Sequence, residues 1–119
     1  MRIGIVGGGV IARLAMEHIR KGDLGDAQAV AIAGRSIASK GRPLAEEFGV
    51  PFVIGLEAMM ATKPEVVMEA ASHDAVREYG EPVLARGISF IALSGGALCD
   101  DALRERLERT AAQHRAFLY

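Results

Sequence analysis

Short apolar runs alternate along this chain with segments in which apolar residues recur every three or four positions. A run of the first kind predicts a buried parallel strand, and a segment of the second kind predicts a helix with one apolar face. The predicted strands are residues 3–6, 27–33, 51–54, 65–70, 88–93 and 115–119. The predicted helices begin at or near residues 11, 40, 56, 72 and 100. The buried stripe expected on the first helix consists of Ile11, Leu14, Ala15, His18 and Ile19.

Connections of this length between buried strands require parallel pairing with right-handed crossovers. We therefore expect one doubly wound α/β domain over residues 1–119, a parallel sheet of Rossmann type with about six strands in the order 3-2-1-4-5-6. Pro82 is expected to kink or restart the fourth helix. Sheets of this type bind ligands beyond the carboxyl ends of the strands, where the strand order reverses. Four loops lie at that edge: residues 7–11, 34–36, 70–73 and 94–97.

The first of these loops has the spacing of a dinucleotide-binding fingerprint, Gly7-x-Gly9-x-x-Ala12, between a predicted strand and a predicted helix. Gly7 permits a tight turn, Gly9 lets a pyrophosphate approach the main chain, and Ala12 allows the helix to pack closely on the strand. Val10 and Ile11 open the helix, whose positive end favours phosphate. The alternative is a tight turn that binds nothing, which the strand-turn-helix context disfavours.

The loop after the second strand bears on which nicotinamide dinucleotide binds. NAD-binding domains of this type generally carry a carboxylate here for the ribose hydroxyls, whereas this chain has Gly34, Arg35 and Ser36. Arginine and serine side chains can bond to the 2′-phosphate of NADP, and Lys40 and Arg42 add positive potential. NADP is therefore the expected cofactor and NAD the second choice. The alternative is that Arg35 is only solvated and both cofactors bind alike.

Composition limits the partners and the compartment. The chain has 119 residues, 50% of them hydrophobic, and a net charge of −1, which is typical of a globular domain and offers no basic face for nucleic acid. Its single cysteine, Cys99, excludes a disulfide framework and a cysteine-based zinc site, and we expect no metal. No apolar run is long enough to span a membrane, and the first strand leaves no room for a signal peptide. A cytoplasmic location is expected.

Two further segments carry a resemblance to a known family. The chain reads E-A-A-S at residues 69–72, followed by V-R-E-Y, and S-x-G-A-L-x-D at residues 94–100. With the glycine fingerprint, these segments resemble the L-aspartate dehydrogenase family over essentially the whole chain. Homoserine dehydrogenases usually have an asparagine-lysine pair where this chain has Ser94 and Gly95, and sugar-type oxidoreductases have a glutamate-lysine-proline motif there. Both motifs are absent from this chain.

The resemblance implies an NAD(P)-dependent oxidation of L-aspartate to iminoaspartate, which can return to oxaloacetate and ammonia or feed NAD synthesis. It places the loops of residues 70–73 and 94–97 at the nicotinamide end of the cofactor. The residues concerned are Ala70, Ala71, Ser72, Ser94, Gly96 and Ala97. Family members continue into a second domain with the substrate pocket and a catalytic histidine, so the expected catalytic residues lie outside this chain. We expect the cofactor half of such an enzyme, either a truncated form or an isolated domain.

Several alternatives remain open at this point. The chain could belong to a related dehydrogenase of another amino acid or semialdehyde, such as homoserine dehydrogenase, or to a non-catalytic nucleotide-sensing module. His73 could touch substrate or phosphate but is more simply a solvated helix-start residue, and Glu69 could be an acid, a base or a structural group. Cys99 is interpreted as a small, partly buried hydrophobe. A homo-oligomer is left open.

Overall fold

The computed structural model describes residues 1–119 as a parallel β-sheet with helices on both faces. The strands are β1 (Arg2–Val6), β2 (Gln28–Gly34), β3 (Phe52–Ile54), β4 (Val66–Glu69) and β5 (Ser89–Ala92). The helices are α1 (Val10–Lys21), α2 (Gly41–Phe48), α3 (Leu56–Ala61), α4 (His73–Ala85) and α5 (Asp101–Gln113). A 3₁₀ helix, Gly95–Cys99, precedes α5. None of these helices is both long enough and apolar enough to cross a membrane.

The strand order is β3-β2-β1-β4-β5 with every pair parallel, which confirms the predicted doubly wound sheet. The predicted sixth strand is wrong as a full strand. The last residues lie beside β5 at the expected edge, but they form only an isolated parallel bridge between Phe90 and Leu118. Three backbone bonds of 2.9 Å hold this segment in place: from Tyr119 N to the Phe90 carbonyl, from Ala92 N to the Tyr119 carbonyl and from Phe90 N to the Phe117 carbonyl.

The strand residues alternate between two apolar cores, one on each face of the sheet. Helices α3, α4 and α5 cover one face, where Val67 and Phe90 are fully buried. Helices α1 and α2 cover part of the other face, where Ile5 and Ile32 are fully buried. On α4, the predicted stripe is buried as expected: Val76, Tyr79, Gly80, Val83 and Leu84.

Helix α1 packs on the sheet through a stripe that matches the prediction only in part, since Ala15 and Ile19 pack against the core as expected. Its buried residues are Ala12 and Met16, whereas 51% of Ile11 and 45% of Leu14 is exposed. His18 is also exposed, and its Nδ1 lies 2.8 Å from Asp23 Oδ2. Ala12 and Met16 instead join the core on this face of the sheet, together with Ile5 and Ile32.

Pro82 does not restart α4, contrary to one of the two expectations, since the helix runs continuously from His73 to Ala85. Proline removes one N–H donor, and the carbonyl that loses this donor belongs to Glu78, four residues earlier. Glu78 is exposed, so solvent can reach that side of the helix. The cost of the missing bond is correspondingly small.

The face that carries α1 and α2 stays open over β4 and β5. A groove of about 560 Å³ there is lined almost entirely by apolar side chains, among them Met68 and Ile91 from the sheet. Phe117 and Tyr119 border the groove with 63% and 65% of their surface exposed, and their rings lie 6.0 Å apart. The apolar face of the sheet is therefore covered on one half only.

Candidate functional site

A cleft of about 190 Å³ opens at the carboxyl edge of the sheet, beside the point where the strand order reverses. Three parts of the chain form it: the ends of β1 and β2 with the glycine turn, the connection into α2, and the start of α4. The lining residues are Val6, Gly7, Gly8, Ala33, Gly34, Arg35, Ser39, Lys40, Gly41, Ala71, Ser72, Ala75, Glu78 and Tyr79. The cleft thus brings together residues that the sequence predicted for the site and residues that it did not.

The glycine turn leaves no space for side chains at its first two positions. Gly7 has φ +118°, and a Cβ built there would lie 2.5 Å from the Ala70 carbonyl oxygen. A Cβ at Gly8 would lie 2.1 Å from the backbone nitrogen of Gly41, at the start of α2. These contacts are with backbone atoms, which cannot rotate away, so both glycines are required by packing.

Gly9 differs from its two neighbours, because no atom lies within 4 Å of the position that a Cβ would take. Its φ of −84° is also accessible to other residues. Gly9 precedes α1 without any side-chain cap, and the first N–H groups of a helix lack partners within the helix. Val10 and Ile11 follow with 75% and 51% of their surface exposed, so the start of α1 is open to an anion.

The connection between β2 and α2 is a turn organised by Ser39. Its Oγ accepts bonds of 3.1 Å from the backbone N–H groups of Arg35 and Ser36. Ser36 Oγ in turn accepts a bond of 3.2 Å from Ala38 N. A Cβ at Gly34 would lie 2.6 Å from Ser39 Oγ, so the glycine at the end of β2 lets this turn close.

Two cations on this turn are without acidic partners. Arg35 and Lys40 line the cleft, are exposed and take part in none of the ion pairs of the structure. Arg42, by contrast, points its Nε to Glu46 Oε1 at 3.4 Å. The positive potential of the turn therefore comes from Arg35 and Lys40 rather than from all three residues.

Glu69, at the end of β4, is fully buried and joins two loops. Its Oε2 accepts bonds from Ala71 N at 2.8 Å, Ser72 N at 2.9 Å and Ser94 Oγ at 2.7 Å. Its Oε1 accepts a bond from Ser94 N at 2.9 Å. This geometry supports the structural alternative for Glu69. Two of its bonds shape the loop after β4, and the two from Ser94 hold that loop against the loop after β5.

The loop after β5 lies outside the cleft. Ala97 is buried in the core with 1% of its surface exposed, and the hydroxyl of Ser94 is bonded to Glu69. Gly96 lies against His73, since a Cβ there would be 2.7 Å from the imidazole Nε2. Five other predicted site residues are also not among those that line the cleft: Gly9, Val10, Ile11, Ser36 and Ala70.

Helix α4 forms one wall of the cleft through Ala75, Glu78 and Tyr79, which were not predicted from the sequence. The available signal was spacing, because these residues follow the predicted cap Ser72 at three, six and seven positions along one helix face. Ser72 does cap the helix, accepting a bond of 3.2 Å from Ala75 N. Burial raises the pKa of Tyr79 to about 12, with the Glu78 carboxylate adding to the rise and Arg35 opposing it.

The order of the parallel sheet reverses at β1, and the glycine turn and the open start of α1 lie at that point. This arrangement defines a dinucleotide-binding domain of the kind that oxidoreductases use. The sequence agrees with this class. The chain belongs to the family described as homoserine dehydrogenase, NAD binding domain, which matches residues 3–119.

Among individual proteins, the chain is similar to L-aspartate dehydrogenases. The chain is 37% identical over 112 residues to L-aspartate dehydrogenase 1 of Bordetella parapertussis, covering 94% of this chain and 41% of that protein. The aspartate dehydrogenase structure from Thermotoga maritima matches 100% of this chain and 44% of its own, with a TM-score of 0.67 and 25% identity. Biliverdin reductase from Synechocystis, solved with biliverdin and NADP+, matches with a TM-score of 0.77 and 26% identity over 98% of this chain and 36% of its own.

The resemblance to L-aspartate dehydrogenases is therefore confirmed for the cofactor domain. The chain spans about two fifths of the length of the curated relatives it matches, 41% in the Bordetella parapertussis protein.

Replacing Glu69 by glutamine tests the buried junction between the two loops. One carboxylate oxygen becomes an NH₂ group that faces N–H and O–H donors, so we expect the free energy of unfolding to fall by about 3 kcal/mol. Urea denaturation followed by circular dichroism measures this change. Glu105→Gln is the matched control, since Glu105 is exposed and forms no ion pair. A loss at Glu69 no larger than at Glu105 would contradict the structural role.

Proposed function

We propose that this chain is the cofactor domain of an L-aspartate dehydrogenase and that it binds NADP, or NAD more weakly, for hydride transfer from L-aspartate. The observation that carries the proposal is the pair of opposite environments in the glycine turn. Packing fills the space at Gly7 and Gly8, whereas the space at Gly9, before the uncapped start of α1, stays open. That is the arrangement a pyrophosphate needs.

Each part of the site has a role in this proposal. The backbone of residues 7–11 binds the pyrophosphate, and the turn at Gly34, Arg35 and Ser36 holds the adenosine ribose. The loops of residues 70–73 and 94–97, which Glu69 joins, support the nicotinamide end. The bound nicotinamide supplies the hydride acceptor. The substrate pocket and the group that manages the proton belong to a second domain outside residues 1–119, and the enzyme is cytoplasmic.

Replacing Gly9 by valine tests the pyrophosphate position. The side chain would project into open space, so the fold should survive while the branched carbons occupy the place of the phosphates. We expect NADPH binding to weaken by at least about fifty-fold, as losing several charge-assisted bonds implies. Isothermal titration calorimetry measures the dissociation constant, and thermal unfolding reports the fold.

Two control variants make this test specific. Lys21→Val places the same side chain at the exposed far end of α1 and should leave the affinity unchanged. Gly8→Ala should instead destabilise the fold by about 3 kcal/mol, because its methyl group meets the backbone of Gly41. Equal NADPH affinity in the wild-type and Gly9→Val proteins would remove the glycine turn from the proposal.

The preference for NADP rests on two unpaired cations. Arg35 and Lys40 line the cleft with no carboxylate bound to either side chain, and Gly34 supplies no negative charge. Glu78 is the cleft's one acidic residue, so the three charged side chains leave a net positive charge of one. This net positive charge favours binding of the negatively charged 2′-phosphate of NADP.

Replacing Arg35 by alanine should remove the preference for NADP. A charge-assisted bond contributes roughly 1.5–3 kcal/mol, so wild type should bind NADPH at least about tenfold more tightly than NADH. In Arg35→Ala that ratio should fall toward one, with Arg42→Ala as the control because Arg42 is paired to Glu46. Changing Gly34 to aspartate is a poorer test, since its side chain would collide with Ser39. A wild-type preference for NADH would overturn this part of the proposal.

The alternative substrate is homoserine, which the family description favours. Two chimeras separate the alternatives: residues 1–119 joined to the remaining part of L-aspartate dehydrogenase 1 of Bordetella parapertussis, or to that of a homoserine dehydrogenase. We expect reduction of the nicotinamide by the first chimera with L-aspartate, and none by the 119-residue chain alone. Activity in the homoserine chimera only would favour the alternative.

A further inference from the structure

Helix α4 presents two hydrogen-bonding side chains to the cleft, Glu78 and Tyr79, on either side of a small one, Ala75, a turn earlier. Residues three and four positions apart share one face of a helix, so Ala75 lies next to both. Its methyl group leaves the space in front of the two larger side chains free.

The hydroxyl of Tyr79 has no partner within the protein. Only 3% of the residue's surface is exposed, and no enclosed side-chain oxygen or nitrogen in the structure is left without a hydrogen bond. The hydroxyl must therefore reach open space, and the open space that Tyr79 lines is the cleft. A buried tyrosine usually finds a partner for its hydroxyl, so a free one at a cleft wall points to a ligand. A tyrosine hydroxyl is protonated at neutral pH and can donate, and burial raises the pKa of Tyr79 further.

Glu78 supplies an acceptor beside this donor. It is exposed, lines the cleft and takes part in none of the ion pairs, although other acids on the same helix, Asp74 and Glu81, are paired with arginines. Its carboxylate is thus free to accept a bond from a ligand. The wall offers an acceptor and a donor side by side.

Adenine presents the complementary pair along one edge, since its exocyclic amine donates and the adjoining ring nitrogens accept. The cleft volume of about 190 Å³ is some six times the ~30 Å³ share of one water molecule, a space for a fused two-ring base rather than a whole dinucleotide. We infer that Glu78 and Tyr79 read the amine edge of the purine base, the carboxylate accepting from the amine and the hydroxyl donating to a ring nitrogen. This inference rests on the proposed function and names two specificity-determining residues for it.

Hypoxanthine is the matched probe, because it carries a carbonyl oxygen where adenine carries the amine. That oxygen would face the Glu78 carboxylate, acceptor against acceptor, and a site built for a donor rejects a ligand that lacks it. Dissociation constants of NADPH and of its hypoxanthine analogue are measured by calorimetry with the 119-residue chain. Wild type should prefer NADPH by ten-fold or more.

Two variants assign this preference to residues. In Glu78→Gln the amide can donate to the hypoxanthine oxygen, so the preference should fall to about threefold or less. Tyr79→Phe removes only the hydroxyl and should weaken NADPH binding about five-fold or more. The controls Glu105→Gln and Tyr119→Phe change the same side chains at exposed positions outside the cleft and should match wild type. Unfolding midpoints confirm that all variants fold.

The possible outcomes distinguish failure of this inference from failure of the proposed function. Equal binding of NADPH and the analogue by wild type would overturn the inference and leave the proposed function intact. An unchanged preference in Glu78→Gln, or an unchanged NADPH affinity in Tyr79→Phe, would remove that residue from the recognition of the base. Failure of both nucleotides to bind wild type would overturn the proposed function itself.

Discussion

The architecture depends on the absence of side chains along the central strand and the turn that follows it. A Cβ at Gly4 would lie 2.4 Å from Met59 Sδ, one at Gly7 would meet the Ala70 carbonyl, and one at Gly8 would meet the backbone of Gly41. Helix α2 and the loop after β4 therefore approach the turn after β1 at distances that only glycine permits, whereas at Gly4 the Met59 side chain of α3 would have to shift. Because β1 is the middle strand of the sheet, these close contacts fix the relative positions of the elements that surround the cleft.

The cleft is a consequence of that packing rather than of any single motif. The start of α2 rests on Gly8, which carries Lys40 and the Ser39 turn to the same edge as the glycine turn. Helix α4 begins directly after the loop that Gly7 touches, so its first two turns become the opposite side of the site. Charges collect there without being neutralised: the cations of Arg35 and Lys40 and the anion of Glu78 all remain unpaired.

Much of this arrangement could be predicted from local patterns, and the exceptions share a physical cause. The glycine turn and the buried stripe of α4 follow from spacing, because each depends on residues close in sequence. The strand order follows from the doubly wound class that the alternation of strands and helices predicts. The burial of Glu69 could not be predicted, since its partners include Ser94, which is 25 residues away. The stripe on α1 was misplaced in part, because Ala12 and Met16 join Ala15 and Ile19 on the face that meets the sheet. The helical spacing after Ser72 places Ala75, Glu78 and Tyr79 on one face of α4, but that this face lies opposite the turn after β2 is a long-range property that no single segment encodes.

The buried carboxylate of Glu69 has a further consequence for how such domains diversify. The loops after β4 and β5 are often regarded as independent variable segments that can be exchanged between enzymes of one fold. Here they share a single acceptor with three backbone donors and one hydroxyl, so they form one hydrogen-bonded unit. A loop transplanted into either position must bring donors at the same places, or a buried negative charge is left unsatisfied. Recombination at this edge of the sheet should therefore succeed when both loops are exchanged as a pair.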